Sequence, residues 1–333
     1  MAQPKKPSHE QLGLLATNMK DFYTRPRPPE NFDPTAASEE DLAKFGLPKR
    51  PDQKQQPRAH ALWRRMFGRR LKYIEPQLRP RRYRTRANSK RARIEFGPAG
   101  GSTPGRDSWA GTYCVARGGP PLVYVGAMWQ LPSIWIPESG PFVGADEYRL
   151  ATWVGLDGIG IDDVLQGGVD QHIGSGNGNG CSAWAEFFPS PPATASNFPV
   201  SAGDAVIFQA LYLPDPNPLK FGEVLMVNIT QAVATIVVVC PGPDTTFSGN
   251  TAEWVVETPT LADGDLAALP GFSPVAFVYP FAVDRAQNEA PAAQTYSTPM
   301  QNYGPGYGRT SKADSQVVAN PIYDPDIFGV VWV

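Results

Sequence analysis

From Trp109 to the C-terminus, short apolar runs alternate with turn residues: "WAGTYCV", "LVYVGAMWQLP", "RLATWVGLDG", "DVLQGGVD", "AWAEFF", "DAVIFQALYL", "EVLMVNI", "TIVVVC", "AEWVVE" and "PVAFVYPFAV". Runs of this length, rich in β-branched and aromatic residues and bounded by Gly, Pro, Asn and Asp, read as strands. Many such strands at short spacing predict an all-β sandwich or barrel. A polar excursion covers residues 286–315, and the closing "IFGVVWV" reads as a returning strand.

The N-terminal third has a different texture. Residues 1–57 are polar and proline-rich, which predicts a short helix around 8–21 and disorder elsewhere. Over 58–93, Trp63, Met66, Phe67, Leu71 and Ile74 recur near helical spacing, predicting an amphipathic helix that ends before Pro76. The glycine-rich stretch "GPAGGSTPG" reads as a linker. Four segments follow: a tail at 1–57, a basic region at 58–96, a linker at 97–106 and a β domain at 107–333.

Charge sharpens that division. Residues 1–96 hold 23 Lys and Arg against 10 Asp and Glu, a balance of +13, whereas 97–333 hold 7 against 22, a balance of −15. Residues 58–93 alone carry 14 basic side chains and a single acid, Glu75. Three readings fit this stretch: nucleic-acid binding through arginines interleaved with Trp63, Phe67, Tyr73 and Tyr83, a solvated tail, or docking onto the acidic domain of the same chain.

Other chemistry is bounded by what is scarce. Cys114, Cys181 and Cys240 lie far apart without CxxC spacing, so at most one disulfide is expected and zinc is not. His9, His60 and His172 are too scattered for a triad or a metal cluster, and no cofactor is expected. No apolar run approaches a membrane-spanning length, and the first residues lack the apolar core of a secretory signal. "GIGIDD" at 158–163 and "GSGNGNG" at 174–180 lack the context of phosphate loops or calcium loops and read as ordinary loops.

Two strand faces stand out. In "AEWVVE", alternation sets Glu253, Val255 and Glu257 on one face, with Trp254 and Val256 on the other. In "DDVLQGGVDQH", Val164, Gln166 and Gly168 share a face, and the glycines after Gln166 leave little bulk beside it. That suits an amide reaching into an open groove, or a polar residue at a sheet edge.

Taken in order, "DSWAGTY" (107–113), "ATWVGLDG" (151–158), "VLQGGVD" (164–170), "AWAEFFP" (183–189) and "NTAEWVVE" (250–257) resemble the eqolisins, the glutamic peptidases. "PGFSPVAFVYPFAV" (270–283) resembles a later core strand of that family. The resemblance implies a concanavalin-like β-sandwich of two curved antiparallel sheets with a site on the concave face. It implies an acid-acting, pepstatin-insensitive endopeptidase whose partners are polypeptide substrates. Gln166 and Glu257 match the catalytic dyad. Trp109, Trp153, Asp157 and Glu186 match cleft residues that bind substrate, and Glu253 and Asp170 are expected to support the dyad. The basic stretch stands where such precursors carry a prosegment, so its docking within the chain is one expectation and nucleic-acid binding a lesser one. The family is typically secreted; without a visible signal, the sequence reads as cytoplasmic or exported by another route. A catalytically silent, lectin-like sandwich is the alternative.

Overall fold

The computed structural model describes residues 12–81, 108–116, 118–138, 145–174, 179–213, 221–242, 244–261, 267–290, 295–298, 317–318 and 327–330. Ten main strands build it: β1 (Trp109–Val115), β2 (Leu122–Gln130), β3 (Glu147–Asp157), β4 (Val164–Gly174), β5 (Gly180–Phe188), β6 (Ala205–Tyr212), β7 (Gly222–Asn228), β8 (Val233–Val239), β9 (Thr251–Glu257) and β10 (Val275–Asp284). They form two antiparallel sheets. One runs β1-β9-β3-β4-β5, and the other runs β8-β7-β6-β2-β10. The closing strand Ile327–Val330 returns to pair antiparallel with β10, as the C-terminal apolar run predicts.

Between the sheets lies a core that includes Val125, Trp129, Leu156, Leu165, Val169, Phe208, Val224, Met226, Trp254 and Val256. Strand alternation then sends Gln166, Gly168 and Asp170 of β4, and Glu253, Val255 and Glu257 of β9, to the opposite face of the first sheet. Val255 accordingly packs with Trp109, Trp153 and Trp184 in a separate cluster.

The second sheet is apolar on both faces. In β8, Val237 and Val239 join the inter-sheet core, whereas Ala234, Ile236 and Val238 face a third layer. That layer is the N-terminal segment. Helices α1 (Glu39–Lys44) and α2 (Pro57–Phe67) contribute Leu42, Leu62, Trp63, Met66 and Phe67, joined by Leu14, Phe45, Leu47 and Leu71. Ser38 caps α1 by accepting from the amide of Asp41, and Pro57 starts α2 at the position where its missing N–H costs nothing.

The disorder expected of residues 1–57 therefore does not hold over 12–57. Few apolar residues occur there, but Leu14, Leu42, Phe45 and Leu47 are buried on the second sheet, which supplies the apolar surface that the segment lacks, and Phe22 joins the inter-sheet core. The helix expected around 8–21 is replaced, in its described part, by a short hairpin of Leu15–Ala16 with Phe22–Thr24, whose second strand extends β8. The helix predicted before Pro76 stops at Phe67. Lys72–Tyr73 instead pairs in parallel with β8, and Leu78–Pro80 pairs antiparallel with Ala193–Ala195 at the edge of the first sheet. Three ion pairs tie this segment to the rest: Arg25–Glu223, Arg58–Glu289 and Arg81–Asp170. The linker at 97–106 and residues 82–93 of the basic stretch lie outside the described residues. No described helix is long and apolar enough to cross a membrane.

Candidate active site

Cross-strand register arranges the outer face of the first sheet in rows. Glu257 of β9 lies opposite Ala151 of β3, which lies opposite Asp170 of β4 and then Ser182 of β5. The next row is Val255, Trp153, Gly168 and Trp184, and the third is Glu253, Gly155, Gln166 and Glu186. On β1, Trp109 lies opposite Glu257 and Tyr113 opposite Glu253.

Glycines decide what fits on this face. A Cβ on Gly168 would stand 2.1 Å from the Thr152 carbonyl oxygen and 2.5 Å from the Trp153 Cβ. Gly155 is similarly overlain, with Trp153 Cζ3 2.8 Å and Gln166 Cβ 3.3 Å from where its Cβ would be. The glycines beside Gln166 do not open a groove, as the sequence reading has it; they let strand backbone and indole approach closely. Gly167 serves the other face, where a Cβ would meet Val224 Cγ1 at 2.4 Å.

Gln166 donates from Nε2 to Oε2 of Glu186 at 2.9 Å. Trp153 donates from Nε1 to Oε2 of Glu257 at 2.8 Å. Trp109 packs edge-on to Trp153, with ring centroids 4.8 Å apart at 80°. All five side chains are fully buried. Burial pushes the Glu257 carboxyl well above its ordinary value; hydrogen bonding from Trp109 and Trp153 and the charge of Arg81 oppose that, while Glu186 reinforces it. Gln166 with Glu186, and Glu257 with Trp153, are thus two hydrogen-bonded pairs on one buried sheet face.

By the family resemblance, Trp109 and Trp153 are expected to border the substrate groove. Both indoles are buried, and they lie beside Gln166 and Glu257. The "GIGIDD" turn folds over them: Ile159 joins the tryptophan cluster, and a Cβ on Gly158 would lie 3.2 Å from Trp109 Cη2 and 3.1 Å from Glu253 Oε1. Glu253 is likewise buried, in the row of Gln166.

Asp157, matched by the resemblance to a cleft residue, is bonded to the loop before β9. It sits at positive φ, 67°, at the end of β3. Its carboxylate accepts from the Ser248 amide at 2.7 Å, the Ser248 hydroxyl at 2.6 Å, and the Gly249 and Asn250 amides at 3.0 Å each. Four such bonds commit it to anchoring the loop that leads into β9. It thereby helps hold the strand carrying Glu257.

Two residues at the site were not singled out from sequence. Trp184 stands two residues before Glu186 on β5, so strand alternation alone puts them on one face. Arg81 was counted only as part of a basic stretch. Its Nε and Nη2 donate to Oδ2 and Oδ1 of Asp170, both at 2.6 Å, and its guanidinium carbon lies 3.8 Å from the Trp184 ring centroid. Burial works against that charge, but Asp170 first, then Glu186 and Glu257, hold Arg81 protonated. Among the described residues, no group of three or more His, Cys, Asp or Glu converges as metal ligands, and the three cysteines are free thiols.

Residues 107–319 match the peptidase A4 family. No curated protein matches the chain significantly. Among solved structures, scytalido-glutamic peptidase with a transition-state analogue inhibitor aligns with a TM-score of 0.54 and 18% identity, covering 68% of this chain and 98% of that one. SCP-B, described as an eqolisin in complex with the tripeptide Ala-Ile-His, aligns with a TM-score of 0.52 and 18% identity over 68% and 98%. At that identity the likeness is one of fold: a sandwich of two antiparallel sheets.

Proposed function

The chain belongs to the peptidase A4 family, which makes it a glutamic-type peptidase, and we propose that it hydrolyses peptide bonds with Gln166 and Glu257 as the reacting pair. Glu257 takes a proton from water, and the resulting hydroxide adds to the scissile carbonyl. The Gln166 amide donates to the developing oxyanion. Glu257 then returns the proton to the leaving amine as the carbon–nitrogen bond breaks, and its carboxylate is restored. The reading is supported by geometry: Glu186 holds Gln166 and Trp153 holds Glu257 by hydrogen bonds on one sheet face, buried among three tryptophans.

Burial is the leading cause of the raised Glu257 carboxyl, so ionisation of the base is coupled to admission of water and substrate. Arg81 reaches this site in cis, held against Asp170 and Trp184. We therefore assign the basic segment an occluding role, its displacement preceding catalysis. The register favours a second reading of the base, because Glu253 and not Glu257 shares a row with Gln166. The activity is tested by incubating the full chain, and its Arg81→Ala variant, with a denatured protein from pH 2 to 8 in the presence of pepstatin. Cleavage in acid that pepstatin does not block is expected. Absence of cleavage by both proteins at every pH would reject the assignment.

A further inference from the structure

Asp170 and Trp184 belong to strands β4 and β5 of the sandwich, whereas Arg81 arrives from the N-terminal segment. The pocket is thus made by one part of the chain and filled by another. Its parts suit the fork of a guanidinium: a carboxylate takes two parallel N–H bonds at 2.6 Å and an indole face lies 3.8 Å beneath the cation, while Nη1 finds no partner among the described residues. The side chains of Arg81 and Asp170 are only 2% and 4% exposed. Both pocket residues project from paired strands, with Gly168 lying opposite Trp184.

The way Arg81 enters is equally telling. Leu78–Pro80 is an extended peptide added antiparallel to Ala193–Ala195 at the edge of the site-bearing sheet. Backbone pairing at a sheet edge with one side chain set in a pocket is how extended peptides are commonly held. Arg81 also lies within the field of Glu186 and Glu257, so the pocket adjoins the proposed reacting groups.

We infer that Asp170 and Trp184 form a cation subsite that takes an arginine or lysine side chain of a polypeptide substrate, and that Arg81 is its occupant in cis. The inference rests on the peptidase reading for its substrate but not for its ligand. Arginine is preferred to lysine, because a planar fork makes two bonds to Asp170 and stacks on Trp184, whereas an ammonium does neither as fully. Asp170 thereby sets specificity instead of only supporting the dyad.

The test uses full-length protein with the pocket vacated by Arg81→Ala, and the same variant carrying Asp170→Asn, which keeps the shape and removes the charge. Both are assayed on peptide pairs that differ only by arginine or citrulline at one position, scanned along the peptide. In parallel, binding of Nα-acetyl-arginine amide is followed by tryptophan fluorescence, with the alanine amide as control. At one position the Arg81→Ala protein is expected to cleave the arginine peptide with kcat/KM about 10- to 100-fold higher, the range of a charge-assisted hydrogen-bond pair. Asp170→Asn should erase that preference and the binding together. Equal cleavage of both peptides at all positions, or a preference that survives Asp170→Asn, overturns the subsite. Asp170-dependent binding of the arginine amide without hydrolysis of any peptide would uphold the subsite while the peptidase reading fell.

Discussion

Trp153 donates its indole N–H to Glu257 across a 2.8 Å gap while its ring lies over Gly155 beside Gln166. One side chain thus spans all three rows of the site: it holds the proposed base at one end and packs against the proposed oxyanion donor at the other. The indole is fixed in turn by Trp109 and by Gly168 opposite it. The position of Glu257 is therefore set by aromatic packing more than by a charged partner, and replacing its charge need not disturb the fold.

Glu257→Gln should accordingly lower kcat on the order of 10²–10⁴-fold, the usual contribution of a positioned general base, with an unchanged circular dichroism spectrum. Glu253→Gln should lose far less. An inactive Glu253→Gln protein beside an active Glu257→Gln protein would transfer the role of base to Glu253, the glutamate in the row of Gln166.

The same substitution has a signature in stability. Burial raises the folded-state carboxyl of Glu257 above its ordinary value, so the native state holds that proton more tightly than the unfolded chain does. Stability from this group is complete below the unfolded value, about 4.3, and is lost as pH rises through the folded one. Glutamine cannot ionise and still accepts from Trp153. The melting temperature of Glu257→Gln relative to wild type should thus increase from pH 4 to pH 7, and a flat difference over that range would contradict a buried, reluctantly charged carboxylate.

Gln166→Ala is expected to reduce kcat by about 10²–10³-fold with a smaller change in KM, because an oxyanion donor acts in the transition state. Steady-state kinetics decides it: an effect confined to KM would make Gln166 a binding group.

How much of this was legible in the sequence can be judged residue by residue. Period-two alternation set Glu253, Val255 and Glu257 on one face, and the same rule put Gln166 with Gly168. Alternation cannot say what lies across a strand, however, so the glycines after Gln166 read as open space when Val224 packs on Gly167 and the backbone of Thr152 and Trp153 on Gly168. Asp157 carried no signal of its four bonds to residues 248–250, because those depend on loop closure across about 90 residues. The third layer did leave a trace. "VATIVVV" in β8 lacks the polar alternation of a strand with one wet face, which calls for a cover on both sides. The polar composition of residues 1–57 outweighed it, since the cover's few leucines and aromatics are scattered along the segment.

Gly168→Ala tests the packing that aligns the rows. An added methyl would meet the Thr152 carbonyl oxygen at 2.1 Å, and backbone cannot swing aside as a flexible side chain can. The variant should be destabilised by about 1–3 kcal/mol or more, and its tryptophan fluorescence should shift because Trp153 must move. Chemical denaturation with an unchanged midpoint would show that β3 and β4 have slack at this register.

The last prediction concerns what holds the N-terminal segment. The charge imbalance suggests an electrostatic tether that salt would loosen. The contacts point elsewhere: Leu62 and Met66 of α2 are fully buried, and Trp63 and Phe67 nearly so, against a sheet face of Ile207, Leu225, Ile236 and Phe281. Apolar burial of this kind is not screened by salt, whereas interaction between exposed charges falls as the Debye length shrinks from about 10 Å at 0.1 M to about 3 Å at 1 M. The ion pairs of Arg25, Arg58 and Arg81 are themselves largely buried and so weakly screened. Raising NaCl from 0.1 to 1 M should therefore leave residues 12–81 as resistant to limited proteolysis as before. Leu62→Ala should instead cost about 2–5 kcal/mol and expose the segment, as removal of a buried leucine does. Release of the segment by salt alone, with Leu62→Ala indistinguishable from wild type, would return it to an electrostatically held tail.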